Sequence, residues 1–266
     1  PTVAALALFH RRHDAWGAVA LTAAIWTKFF PIVLVPIVMF DRLLRRQWRD
    51  VFLIGGIVGL GSVIINAPFA LQVTSSGVSI RESWLYFFRF NQDRPPANYS
   101  ANLWELLAVV GVHPTTQQIN TASTVLMAAA LAVVAFLLYR AHARGLAHTY
   151  DLVLPASIAM ISWFMFINKI YSPQYSLWIA VLIALIAVPP YLAAIFGGAD
   201  LLFFGAIWTM LYLSEMGDPA SWWVYDQVVI PTTLIREGVI LLIVGWALGR
   251  LIRPGRAVGP ATKLPT

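Results

Sequence analysis

Apolar residues in this chain come in long runs rather than in alternation. The runs occupy 15–40, 51–73, 121–139, 151–167, 176–188, 200–214 and 231–249. A hydrocarbon core about 30 Å thick takes roughly 20 helical residues to cross, and several of these runs approach that length. In lipid, backbone groups must be bonded within the protein, so runs of this kind predict helices. Residues 3–9 read as the end of another helix, and "NLWELLAVVGV" (102–112) is too short to span; it is predicted to lie at the interface or re-enter. The stretch 74–101 is polar, and 250–266 is basic, rich in Pro and Gly, and predicted to be disordered. The pattern predicts an all-α, polytopic membrane protein with one transmembrane helical domain over 1–249 and a basic cytoplasmic tail over 250–266. No internal repeat is evident, and the glycines of "GGIVGLG" (55–61) read as helix-packing positions.

Composition agrees with the pattern. Of 266 residues 59% are hydrophobic and 11% charged, and the mean hydropathy is +0.74, which excludes an ordinary soluble domain. The net charge of +6 comes largely from arginines flanking the apolar runs, so it is assigned to membrane topology and not to nucleic acid. The absence of cysteine rules out disulfides and thiolate metal sites. His10, His13, His142 and His148 flank turns without forming a ligand set, and no metal is expected. Because the chain opens on an apolar run without Met, it is read as the C-terminal portion of a longer protein.

Arginine placement orients the helices. Arg42, Arg45, Arg46 and Arg49 form one basic turn, Arg140 and Arg144 a second, and Arg250, Arg253 and Arg256 a third. The positive-inside bias assigns all three to the cytoplasm, which puts 74–101, 168–175 and 215–230 on the outer face. Segment 15–40 has basic flanks on both sides, Arg11 and Arg12 before it and the first basic turn after it. Either it is a broken hairpin that turns at "KFFP" (28–31), near Lys28, or it is one kinked span with Arg11 and Arg12 outside. Pro31 lacks a backbone donor and favours the break.

Five cations then fall on or near the outer face against the bias: Lys28, Arg81, Arg89, Arg94 and Lys169. Arg81, beside Glu82 in "RESWLYFFRF", reads as a snorkelling residue on an interfacial amphipathic helix. For Lys28 snorkelling and function stay open. The polar company of Arg89 and Arg94 in "FFRFNQDRPPANYS" points to function. A lipid-linked phosphate fits such cations, since its chain lies in the bilayer and its anionic head at the interface. For Lys169 the residues alone also allow an interface anchor.

Three stretches resemble the glycosyltransferase family 87 group of actinobacterial membrane proteins, within the GT-C superfamily. They are "NKIYSPQYSLW", which joins two apolar runs; "WTKFFPIVLVP", followed by a basic turn; and "INAPFAL", leading into "RFNQDRPPANYSANLWELL". The resemblance covers most of 15–190. It implies a GT-C-like fold and a mannosyltransferase-type enzyme of the cell envelope. Such an enzyme is a multi-pass plasma-membrane protein whose active site lies on the extracytoplasmic face. The donor would be a polyprenyl-phosphate sugar, expected to be mannose, and the acceptor a glycolipid or polysaccharide. No cofactor is implied, and the partners are the lipid bilayer and these substrates. The family's catalytic acid lies in an early outer loop upstream of Pro1, so no base is assigned here. The resemblance makes Lys28, Arg89, Arg94, Lys169, Tyr171, Ser172, Gln174 and Tyr175 the candidate substrate-binding residues. The chain departs from the family where many members carry Ser-Pro-x-Ser-Trp and then histidine; here the sequence reads Ser172-Pro173-Gln174-Tyr175. The competing readings are a transporter or flippase of lipid-linked substrates, with Glu105 and Arg236–Glu237 its only candidate relay, and a noncatalytic scaffold subunit.

Overall fold

The computed structural model describes residues 1–71, 80–95, 102–148, 151–170, 175–185 and 188–253. Among them the regular elements are helical throughout: α1 (Thr2–His10), α2 (Asp14–Thr27), α3 (Leu34–Leu44), α4 (Trp48–Leu71), α5 (Ile80–Asp93), α6 (Leu103–Val109), α7 (Thr116–Ala143), α8 (Val153–Ile167), α9 (Tyr175–Leu185), α10 (Pro190–Glu215), α11 (Ala220–Val224) and α12 (Ile230–Ile252). Among the described residues four helical segments are long and apolar enough to cross a membrane: Trp48–Phe69, Thr116–Ala143, Pro190–Glu215 and Ala220–Ile252. Helices α8 and α9 are apolar but shorter. The chain is an all-α polytopic membrane protein.

Two boundaries differ from the sequence pattern. The run read as 200–214 belongs to a helix that begins ten residues earlier, at Pro190, where a missing N–H costs nothing. Gly197 and Gly198 do not end it, because in lipid a helix break leaves backbone groups without partners. The outer loop read as 215–230 contracts to a tight turn. Gly217 takes a left-handed φ of 70°, the Asp218 carboxylate accepts from Ala220 N–H at 2.8 Å, and the chain is helical again from Ala220. Trp222 and Trp223, read as loop residues, are exposed on the first turns of that helix. The tail expected over 250–266 meets the structure only at its start, since α12 carries residues 250–252 and everything after 253 lies outside the described residues.

The chain divides into two compact units, and α4, α7, α8 and α12 contribute to both. One comprises Pro1–Gly59, Ala130–Ile161 and the chain from Ile243 onward; the other comprises Leu60–Ala129 and Ser162–Leu242.

The first unit contains the broken hairpin. Helix α2 stops at Lys28, whose extended backbone (φ −152°, ψ 118°) ends the hydrogen-bond ladder, and a 3-10 turn carrying Pro31 leads into α3. Had 14–42 been one helix, its ends would stand about 42 Å apart. Instead the Arg42 guanidinium grips Asp14 through Nε–Oδ2 at 2.8 Å and Nη2–Oδ1 at 2.7 Å, so the chain has reversed. Arg42 also donates to Asp41 Oδ2 (2.5 Å) and Phe9 C=O (3.1 Å). Asp41 in turn accepts from Arg45 Nε (3.0 Å) and meets His142 Nε2 (2.9 Å), which fastens α7 to the hairpin. Asp41 and Arg42 are almost completely buried, at 0% and 1% exposed. The α2 arm is about 21 Å long, shorter than a hydrocarbon core about 30 Å thick. Helix α1 lies against α2 where Gly17 lets the Phe9 ring approach; a Cβ there would meet ring carbons at 2.7 Å. The "GGIVGLG" glycines are less uniform than expected. Gly55 faces Met39, whereas Gly56 and Gly59 meet nothing within 4 Å and mark no close packing.

The second unit is centred on Trp104, Ile119, Met165, Ile167, Phe203 and Val229, all buried. Within it Arg236 is fully buried, bonded to Glu237 at 2.7 Å and stacked over the Phe203 ring at 3.8 Å. The amphipathic helix expected around Arg81 is α5.

Candidate functional site

The candidate site lies in the second unit, where α8 ends. The last carbonyls of a helix lack intrahelical partners and need other donors. Ile167 C=O accepts from Trp104 Nε1 (2.9 Å) and Ser123 Oγ (3.0 Å). Two residues on, the Lys169 carbonyl accepts from the Asn102 amide. Asn102 is itself the N-cap of α6, its Oδ1 accepting from Trp104 N–H at 2.9 Å and Glu105 N–H at 3.3 Å. One fully buried asparagine thus caps one helix and ties down the chain leaving another. Asn102→Ala is expected to lower stability by about 1–2 kcal/mol. An unchanged thermal midpoint for the purified variant would remove Asn102 from this role.

The Lys169 side chain runs into the same knot. Its ammonium donates to Gln92 C=O (2.8 Å) and to Asn120 Oδ1 (2.9 Å), while Asn120 Nδ2 donates to Gln92 C=O at 2.8 Å. Gln92 lies in the last turn of α5, where an exposed carbonyl and the negative end of the helix dipole favour a cation. Lys169 therefore ties together α5, α7 and the end of α8. Burial lowers its pKa, opposed by the nearby charge of Asp93 and reinforced by that of Arg94. The ammonium is already partly stripped of water, which raises its affinity for any anion that reaches it.

Of the residues singled out in the sequence, the structure gathers three. Arg94 follows α5, rests its guanidinium 5.7 Å from the Phe90 ring centroid, and lies within electrostatic reach of both Lys169 and Tyr175. Tyr175 opens α9 and stacks on Trp178 at 4.4 Å between ring centroids. Arg89 sits exposed on α5, and no hydrogen bond or ion pair among the described residues joins it to Lys169. Lys28 belongs to the first unit and is exposed at the end of α2. Tyr171, Ser172 and Gln174 lie outside the described residues.

Asn102, Asn120 and the Gln92 carbonyl were missed by sequence reasoning. Asn102 carried one signal, an N-cap residue just before an apolar run. Asn120 and Gln92 carried none, since their role depends on which helix lies beside them. Glu105 accepts from Tyr225 Oη at 3.2 Å, a pairing that joins α6 to the helix beginning at Ala220. The half-buried Asp200 carboxylate of the same unit is hydrogen-bonded by Ser176 Oγ.

No family model, no curated protein and no solved structure matches the chain.

Proposed function

We propose that the chain acts in a membrane glycosyltransferase that moves a sugar, expected to be mannose, from a polyprenyl-phosphate carrier to an envelope glycolipid or polysaccharide on the outer face. The observation that supports this reading is the convergence of Lys169, Arg94 and Tyr175. Lys169 and Arg94 lie within electrostatic reach of each other, with the Asp93 carboxylate also near Lys169, and an anionic group that reached both cations would be attracted by each. In the transfer, the bond from the anomeric carbon to the phosphate oxygen breaks and the electron pair leaves with the phosphate. The acceptor hydroxyl forms the new bond, and its proton passes to a base that this chain is not assigned. Lys169 and Arg94 would stabilise the charge developing on the leaving phosphate. Tyr171, Ser172, Gln174 and Tyr175 are proposed to meet the sugar. The direct test is transfer from a radiolabelled polyprenyl-phosphate mannose by membranes containing the protein. No transfer from any polyprenyl-phosphate sugar would sink the enzyme reading.

A transporter of lipid-linked substrates is the second reading, favoured by the buried Arg236–Glu237 pair and by Asp200 with Ser176 in the same unit. Charges buried in spanning helices commonly mark a path for substrate or ions. Movement of the labelled lipid between leaflets without sugar transfer would select it.

The proposed orientation puts the basic turn after α3 in the cytoplasm and the turns after α6 and α10 outside. The chain has no cysteine, so single probes are clean. In intact cells a membrane-impermeant maleimide is expected to label His113→Cys and Asp218→Cys and to miss Arg49→Cys. The opposite pattern would invert the topology.

A further inference from the structure

Two helices of the first unit end in the same unusual way. Helix α1 closes with His13 N–H bonded to Leu8 C=O (2.9 Å) and Arg12 N–H to Phe9 C=O (3.1 Å). Helix α3 closes with Gln47 N–H to Arg42 C=O (2.9 Å) and Arg46 N–H to Leu43 C=O (2.9 Å). Both are Schellman caps, which require a left-handed residue and favour glycine there because a Cβ is crowded in that conformation. Among the described residues the left-handed positions are Gly111, Gly145 and Gly217, as expected, together with Arg12 (φ 63°) and Arg46 (φ 59°). Both exceptions are arginines. Backbone strain held by a side chain that glycine would avoid points to a use for that side chain.

The two caps lie side by side, with Arg12 Nη1 donating to Gln47 Oε1 at 3.3 Å. Gln47 and Arg46 line an open depression of about 530 Å³ together with Arg45, Tyr139 and His142, on a small apolar floor. Among the described residues no acidic side chain lines it. Asp41, the carboxylate behind the wall, is fully buried and already bonded to Arg42, Arg45 and His142. Asp14 is engaged bidentately by Arg42. Arg46 is exposed, and among the described residues no carboxylate bonds it. The crowding is felt by Arg12, whose pKa is lowered by burial and then by the charges of Arg42 and Arg45. Guanidinium forks, an imidazole, a carboxamide and a phenol around one opening match the donor set of a phosphate group.

We propose that this depression is a phosphate-binding site, independent of the transfer reaction, that takes the phosphate of an anionic phospholipid or of a soluble phosphate ester. Basic pockets between helices near a membrane interface suit lipid head groups, and the apolar floor suits the glycerol backbone beyond one.

The test exploits the caps. Arg12→Gly and Arg46→Gly remove the guanidinium groups while relieving the backbone, so lost binding is not lost folding. The full chain is purified in detergent with phosphatidylcholine, and its thermal midpoint is followed against added phosphatidylglycerol or glycerol 3-phosphate. The midpoint of the Arg12→Gly/Arg46→Gly variant in phosphatidylcholine alone is expected to equal or exceed that of the wild type. Half-maximal stabilisation of the wild type is expected at a ligand concentration at least tenfold lower than for the double variant. Arg49→Gln, which removes a nearby arginine outside the depression, is expected to respond like the wild type. Response to the lipid alone assigns a head group; response to glycerol 3-phosphate assigns a soluble ester. The site is overturned if the double variant and the wild type respond equally, or if Arg49→Gln loses as much as the double variant.

Discussion

Lys169→Gln is expected to lower the turnover of sugar transfer by roughly ten- to a hundredfold, the equivalent of one charge-assisted contact of about 1.5–3 kcal/mol lost in the transition state. Under the proposed transfer the charge would act where the leaving phosphate gains negative charge, so kcat should fall more than KM rises. The geometry adds a complication that the sequence did not show. Lys169 also joins Gln92 and Asn120, so its loss loosens α5 and α7 as well as removing a cation. Two companions separate these effects. Lys169→Arg keeps the charge with altered geometry and should recover part of the activity. Asn120→Ala keeps the lysine while removing one of its supports, and should cost only a few-fold if the charge is what matters. If Asn120→Ala and Lys169→Gln lose equal activity and equal thermal stability, the lysine is a strut and nothing more. Near-normal turnover by Lys169→Gln would remove it from the reaction altogether.

The largest effect on stability is expected at the open end of the hairpin. Asp14→Ala leaves the buried Arg42 guanidinium with only Asp41 as a carboxylate partner, beside the Phe9 carbonyl, and removal of one partner from such a pair costs about 3–5 kcal/mol. For a chain of this size that lowers the thermal midpoint by on the order of 10 °C. The reverse change, Arg42→Met, strands Asp14 and should be as damaging. The double variant Asp14→Leu/Arg42→Met removes both charges and should be closer to the wild type than either single variant, because apolar packing replaces a pair that is expensive to desolvate. That non-additivity, measured as thermal midpoints of the purified proteins, is the signature of a direct pair. Single variants within about 1 °C of the wild type would show that the Asp14–Arg42 contact does not hold the hairpin.

Helix content and membrane character were legible in the sequence because they rest on local facts. Twenty apolar residues in a row cannot expose their backbone to lipid, whatever surrounds them, so 51–73 and 121–139 predicted α4 and α7 to within a few residues. The break at Lys28 was legible too, since Pro31 and the basic residues on both flanks of 15–40 argue from neighbours in the chain. Where the pattern misled, flexible or polar residues stood inside a helix or in the tight turn between two: Gly197 and Gly198 within α10, and Asp218 in the turn before Ala220. The arginines of 42–49 read as one charge cluster, and only the fold divided them. Arg42 became a buried clamp on Asp14, Arg45 a partner of Asp41, and Arg46 a left-handed cap. At the candidate site, sequence named Lys169, Arg94 and Tyr175 from their types and neighbours, but it did not reveal that Asn120 and the Gln92 carbonyl hold the lysine. Those contacts span 49 and 77 residues. A hydrogen bond at that separation depends on which helix ends meet, a tertiary fact with no local signature in the chain.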